Sequence, residues 1–172
     1  MPGFVNRTRE LSQLQELYTS ETAELAVVYG RRRLGKTALV SESLADVSDA
    51  VVYQARQKTR ALQIEQFLDR AAESFPGVRQ LRQEWEPVLR YLGERDAIVV
   101  LDEFPYLVAE DDSLPSVLQA LFDRAFDGVA PTFVLVGSSI SMMEEAALLG
   151  SSPLYGRSSL ELDVRQLPFG AA

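Results

Sequence analysis

The sequence predicts an α/β fold: a three-layer sandwich whose central sheet has five parallel strands, with helices on both faces. Three observations carry this. The runs Leu25–Tyr29, Ala97–Leu101 and Phe133–Val136 are continuously hydrophobic, without the alternation of a strand that has one face in water, and read as strands buried on both sides. Between them lie segments with helical spacing, clearest in Ile64, Phe67, Leu68, Ala71, Ala72 and Phe75. Strand and helix alternate along the chain, the order that builds a parallel sheet through crossover helices.

Taken in order, Asn6 or Thr8 is placed to cap a first helix with Leu11, Leu14, Leu17 and Tyr18 on one face. The first strand covers 24–29, and a helix follows over Thr37–Ala45. The second strand covers 50–54; the amphipathic helix around Ile64 and Phe67 comes next and ends at Pro76-Gly77. A further amphipathic stretch over 78–93 contains Trp85 and is interrupted by Pro87. The third strand ends in Asp102-Glu103, and a loop at 109–113 leads to Ser113, placed to cap a helix that turns Leu114, Val117, Leu118, Leu121, Phe122 and Ala125 inward. A fourth strand (132–137), a helix (139–149), a break at Gly150–Pro153 and a fifth strand (158–164) complete the map. Phe67, Phe75, Trp85, Phe122, Met142 and Met143 are expected in the core, and Asp111-Asp112 in a solvated loop.

Composition narrows the chemistry. A chain of 172 residues, 47% hydrophobic and 24% charged, is expected to form one domain with a sizeable core. No apolar stretch approaches membrane-spanning length and the first residues lack a signal-peptide hydrophobic region, so a cytoplasmic protein that does not engage the membrane is expected. There are no cysteines and no histidines, which excludes disulfides, thiolate metal sites, His-based acid/base catalysis and most zinc sites. Carboxylates, Lys, Arg, hydroxyls, backbone and a bound metal must do the work. The net charge of −8 argues against strong binding of duplex DNA, which needs a basic surface.

Residues 30–37, Gly-Arg-Arg-Arg-Leu-Gly-Lys-Thr, form a complete G-x-x-x-x-G-K-[ST] phosphate loop leaving the first strand. Gly30 and Gly35 let the backbone fold tightly around phosphates, and loop N–H groups and the helix N-terminus point at anionic oxygens. Lys36 is positioned for the β- and γ-phosphates, and Thr37 offers a hydroxyl to Mg²⁺. Asp102-Glu103, emerging where open α/β sheets bind ligands, reads as the matching acidic pair. Asp102 would hold Mg²⁺ through its hydration shell, and Glu103 would orient or deprotonate the attacking water. After the fourth strand, Ser138 or Ser139 stands where a polar group would sense the γ-phosphate, or where it would cap the next helix.

Together, Phe4–Leu11, Val28–Thr37, Val100–Leu107, Leu135–Ser139, Pro153–Arg157 and the closing Leu167-Pro-Phe169 resemble one family, the archaeal-type AAA+/STAND P-loop ATPases, which are related to the origin-recognition ATPases. The resemblance implies a P-loop NTPase core of AAA+ (ASCE) type over residues 1–172, with 1–22 as an adenine-side segment and helix. It implies ATP or ADP and Mg²⁺ as cofactors. Phe4–Arg7 would lie beside the adenine, with Val5, Asn6 and Arg7 near the nucleotide; Arg31, Arg32, Arg33, Leu34 and Ala38 belong to the phosphate-binding segment. Ser138 or Ser139 falls at the sensor position, where a longer Asn is common in the wider superfamily. Arg157 stands where an arginine finger would reach a neighbour's nucleotide, a homo-oligomer being implied if it does so. The family usually continues into a helical lid domain, and the chain ends where the lid would begin. That predicts an open nucleotide site, weak turnover, and reliance on further C-terminal domains or a protein partner.

Three functions compete. The first is a Mg²⁺-dependent ATPase acting as a molecular switch. The second is an interaction module gated by ATP or ADP with negligible hydrolysis. The third, a small-molecule kinase, is disfavoured because Phe104–Val108 looks like packing rather than a substrate clamp. Guanine specificity lacks its Asn-Lys-x-Asp motif. DNA enters only indirectly, through the resemblance.

Overall fold

The computed structural model describes residues 7–30 and 35–164. In chain order the elements are α1 (Thr8–Tyr18), β1 (Glu24–Tyr29), α2 (Lys36–Ser43), β2 (Val51–Gln54), α3 (Arg60–Ala71), α4 (Trp85–Gly93), β3 (Ile98–Asp102), α5 (Phe104–Glu110), α6 (Leu114–Ala120), β4 (Thr132–Gly137), α7 (Ile140–Met143) and β5 (Leu160–Asp163). A 3₁₀ turn (Pro76–Gln80) precedes α4, and α6 and α7 each run on into a π turn, Leu121–Ala125 and Glu144–Leu148.

All five strands are parallel, in the order β2-β3-β4-β1-β5. Strand β4 lies between β1 and β3, so the turns leaving β1 and β3 flank its C-terminal end. Such a reversal of winding direction opens a crevice for ligands.

The two faces of the sheet are read by residue parity. Leu25 and Val27 of β1, Tyr53 of β2, Val99 and Leu101 of β3, and Phe133 and Leu135 of β4 face one cluster, into which α3 to α7 send Phe67, Trp85, Leu89, Leu107, Leu118 and Met143. Ala26, Val28, Val100, Val134, Val136 and Leu162 face the other, completed by Leu14 of α1 and Leu39 and Val40 of α2. A slip of one residue would exchange the two sets, so both layers fix the register. Polar ties hold the thinner layer: Thr132 Oγ1 donates to the Leu17 carbonyl at 3.1 Å, and Tyr18 and Ser43 share a 2.7 Å hydroxyl contact.

Several local expectations are corrected. Arg7 occupies the cap position of α1 without a side-chain capping bond, and Thr8 is the first helical residue; Asn6 lies outside the described residues. Helix α3 ends at Ala71, before Pro76-Gly77, and it is capped by Thr59, whose hydroxyl accepts from the Leu62 N–H at 3.3 Å. Pro87 does not interrupt a helix: it is the third residue of α4, in the first turn, where backbone N–H groups have no helical acceptor. The segment 104–110 is helical, a short α5 whose Pro105 sits in the first turn and whose Phe104 and Leu107 are buried. Ser113 stands at the cap position of α6 but its hydroxyl is spent on Asp111. Asp111 in turn pairs with Arg60 at 2.7 Å, which takes it out of the solvated loop expected for it. Met142 faces outward while Met143 is fully buried, since on so short a helix two adjacent side chains cannot share one face.

Candidate functional site

The site is built from strand ends. Gly35, at φ 86°, makes the left-handed turn that opens α2. Lys36 is thereby drawn in to 6% exposure, and Thr37 is turned toward β3, its hydroxyl donating to Asp102 Oδ2 at 3.4 Å. At the other end of the loop, Gly30 lies against the chain leaving β5. A Cβ there would stand 2.2 Å from the Val164 carbonyl oxygen. Gly137 ends β4 in the same way, where a Cβ would meet Met143 Sδ at 2.4 Å, so the strand turns tightly into Ser138.

Asp102 closes β3, 7% exposed. Burial pushes its carboxyl above the ordinary carboxylate value, and the adjacent Glu103 carboxylate adds to this; the Glu103 backbone N–H at 2.8 Å, the Thr37 hydroxyl and the Lys36 ammonium pull it back. Glu103 is left-handed, at φ 55° and ψ 45°. For a residue with a Cβ that conformation costs roughly 1–2 kcal/mol. It turns the chain from β3 directly into α5 and sends the carboxylate to the Ser138 hydroxyl, which donates to Oε2 at 3.2 Å.

These groups share a cavity of about 570 Å³. Gly35, Lys36, Thr37 and Ala38 form one side, Asp102, Glu103 and Ser138 the middle, and Gln54, Ala55, Arg56, Gln57 and Tyr106 the far wall. Thr37 and Asp102 offer two hard oxygens side by side. That suits Mg²⁺, which keeps waters and takes phosphate oxygens for its remaining positions. No group of three or more acidic, His or Cys side chains gathers as a metal cluster among the described residues.

The structure thus brings together Gly35, Lys36, Thr37, Ala38, Asp102, Glu103 and Ser138, with Gly30 at the loop's start. Ser139 takes the capping role instead, its hydroxyl accepting from the Met142 N–H at 3.4 Å. Arg7 is buried against the phosphate loop, its Nε 3.9 Å from where a Cβ on Gly35 would stand. Arg157 is not in the cavity wall; its guanidinium forks onto Asp123 at 2.8 and 3.0 Å. Val5, Arg31, Arg32, Arg33 and Leu34, with Phe4 and Leu167–Phe169, lie outside the described residues. The far wall went unread in the sequence. Its signal was present: Gln54-Ala-Arg-Gln-Lys58 is a polar run at the C-terminal end of a strand, the sheet edge that carries ligands.

Residues 4–172 match the profile of a family described as an ATPase domain predominantly from Archaea. The chain belongs to that family. An uncharacterised protein of Methanocaldococcus jannaschii is 34% identical over 166 residues, which cover 96% of this chain and 36% of that one. An uncharacterised ATP-binding protein of the same organism is 46% identical over 41 residues, 24% of this chain and 70% of that one. Among solved structures, the Walker-type ATPase of Pyrococcus abyssi superposes with a TM-score of 0.70 at 23% identity, covering 96% of this chain and 55% of that one. The ORC2 protein of Aeropyrum pernix, in ADPNP–ADP complexes, superposes with a TM-score of 0.62 at 20% identity over 92% of this chain and 47% of that one. The archaeal ATPase chain therefore spans about a third of its long M. jannaschii relative and about half of the two structural neighbours. These likenesses establish the P-loop α/β fold, and the family supports nucleotide binding and an ATPase-type function. No helix among the described residues is long and apolar enough to cross a membrane.

Proposed function

We propose that this domain binds ATP with Mg²⁺ and hydrolyses it, serving as the switch core of a cytoplasmic protein. The observation that carries the reading is the convergence of Lys36, Thr37, Asp102, Glu103 and Ser138 on one cavity at the C-terminal ends of β1, β3 and β4. Lys36 and the α2 N-terminus hold the phosphates. Thr37 and Asp102 would hold Mg²⁺, which when bound would supply charge neutralisation at the phosphates. Glu103 orients the water that attacks the γ-phosphate along the line of the departing ADP, and takes up its proton. Ser138 fixes the Glu103 carboxylate and, from its place in the cavity wall, would sense the terminal phosphate.

One observation favours the second reading, a nucleotide-gated module with negligible turnover. The Glu103 carboxylate is already engaged by Ser138 at 3.2 Å, and a base held there has first to be released before it orients water. Homo-oligomerisation through Arg157, further domains or a protein partner, and DNA reached only through such partners, belong to the same proposal.

The test is steady-state ATP hydrolysis with Mg²⁺ across a protein-concentration series, beside Lys36→Ala and Glu103→Gln. Hydrolysis that drops about 100-fold or more in Glu103→Gln supports the ATPase. Tight ATP binding with no turnover above the Glu103→Gln background supports the gated module. Nucleotide binding that Lys36→Ala leaves untouched sinks both.

A further inference from the structure

We infer that Arg56 is a cation for the terminal phosphate, supplied by the same chain, and that it sets the preference of the site for a nucleoside triphosphate over a diphosphate. The inference rests on reading the cavity as a nucleotide site. Arg56 lines that cavity across from Lys36, beyond Asp102 and Glu103. It shares the space with two carboxylates and pairs with neither; among the described residues no carboxylate holds its exposed side chain.

The backbone that carries Arg56 is fixed. The Ala55 N–H donates to the Asp102 carbonyl at 2.9 Å, which extends the β2–β3 ladder one residue past the strand. The Arg56 carbonyl then accepts from the Lys58 N–H at 2.8 Å and from Gln63 Nε2 at 2.9 Å. Gln63 is wholly buried, and its same amide nitrogen also donates to the Tyr106 carbonyl at 3.1 Å. One side chain thus pins the loop after β2 to the helix that follows Glu103. With the backbone pinned, only the Arg56 side chain has to be ordered when it engages a ligand.

Geometry selects the terminal phosphate. Strands β2 and β3 are neighbours, while β1, which carries the phosphate loop, is three strand spacings from β2. At about 4.8 Å per spacing, β1 lies roughly 14 Å from β2, and β3 only about 5 Å. An arginine side chain extends roughly 7 Å from its Cα. Arg56 therefore reaches the level of Asp102 and Glu103, where a γ-phosphate would project, and falls short of phosphates seated in the loop itself. Charge agrees: among the described residues that line the cavity, Lys36 and Arg56 balance Asp102 and Glu103, and Arg157 is committed to Asp123 outside the wall.

The experiment is calorimetric binding of Mg²⁺ with ADP and with the slowly hydrolysed analogue adenylyl imidodiphosphate, to wild type, Arg56→Ala, Arg56→Lys and Lys36→Ala. A charge-assisted contact to the γ-phosphate predicts that Arg56→Ala weakens the triphosphate analogue by about 10- to 100-fold and leaves ADP within about twofold. Arg56→Lys should recover part of that loss. Equal weakening of both nucleotides, or no change in either while Lys36→Ala still weakens both, overturns the role of Arg56 and spares the nucleotide site. Failure of wild type to bind either nucleotide removes the nucleotide reading and this inference with it. Unchanged thermal unfolding of nucleotide-free Arg56→Ala would show that the selective loss is not a folding defect.

Discussion

Replacing Gly30 with alanine should destabilise the fold even with no nucleotide present. The residue has φ 153°, a backbone region that L side chains rarely enter, and a Cβ built on it lies 2.2 Å from the Val164 carbonyl oxygen. An ordinary contact needs more than 3 Å, so that carbonyl must retreat by close to an ångström. It has little freedom to do so, because the Val164 N–H donates to the Tyr29 carbonyl at 2.7 Å as the last rung between β1 and β5. Backbone strain of this kind costs about 1–3 kcal/mol and overpacking a similar amount, and partial relaxation makes about 3 kcal/mol a fair total. For a chain of this size each kcal/mol moves Tm by about 2–4 °C, so the loss should be roughly 6–12 °C. Thermal unfolding followed by circular dichroism reads it directly. Gly150→Ala is the control: a Cβ there meets nothing within 4 Å, and Tm should hold. A Gly30→Ala protein melting within about 2 °C of wild type would refute the reasoning, since the mean effect of ordinary surface substitutions is no larger.

Other outcomes follow from single contacts. Thr59→Ala removes the hydroxyl that accepts from the Leu62 N–H, and should cost about 1 kcal/mol, or 2–4 °C in Tm. Asp102→Asn should raise the Tm of the nucleotide-free protein at neutral pH. Burial holds that carboxyl above its ordinary 3.8, so the folded state binds the proton more tightly than the unfolded chain. The contribution of Asp102 to stability is therefore fullest below 3.8 and is lost as pH rises through the raised value, and the advantage of Asn should vanish as the pH is lowered toward 3.8. The same substitution should abolish stabilisation by Mg²⁺ with ATP, which differential scanning fluorimetry would report. Arg157→Ala should leave the melting midpoint unchanged, because the pair with Asp123 is solvent-exposed on both sides. Only a finger acting between subunits would make the hydrolysis rate per subunit lose its dependence on protein concentration in that variant.

Much of this architecture was legible because burial on both faces leaves a plain mark. Leu25–Tyr29, Val99–Leu101 and Phe133–Val136 are apolar at every step, and each lies in a strand within a residue or two of its expected bounds. The phosphate loop and acid pair were legible for a different reason: their residues have few substitutes, so type and spacing together carry the signal. Strand order was not readable, since parity and periodicity say which face a residue takes but not which strand lies beside it. Helix α5 was hidden by its brevity and by Pro105, which breaks a helix in its interior and begins one in its first turn. The far wall of the cavity was missed because Arg56 and Gln57 belong to no spacing rule. What places them is the Gln63 amide, seven residues from Arg56 along the chain and 43 from Tyr106.

The sheet is also shorter at its margins than in its middle. Its outermost strands, β2 and β5, have four residues each, against six in β1 and β4. An open margin is a template on which another extended chain can add itself, and the danger grows with the number of consecutive free backbone groups. Here each margin offers barely one repeat of the ladder, with Gln54 exposed at one and Glu161 at the other. Among the described residues no further strand pairs with either margin, and margins this short do little to recruit copies of the molecule into a growing ribbon.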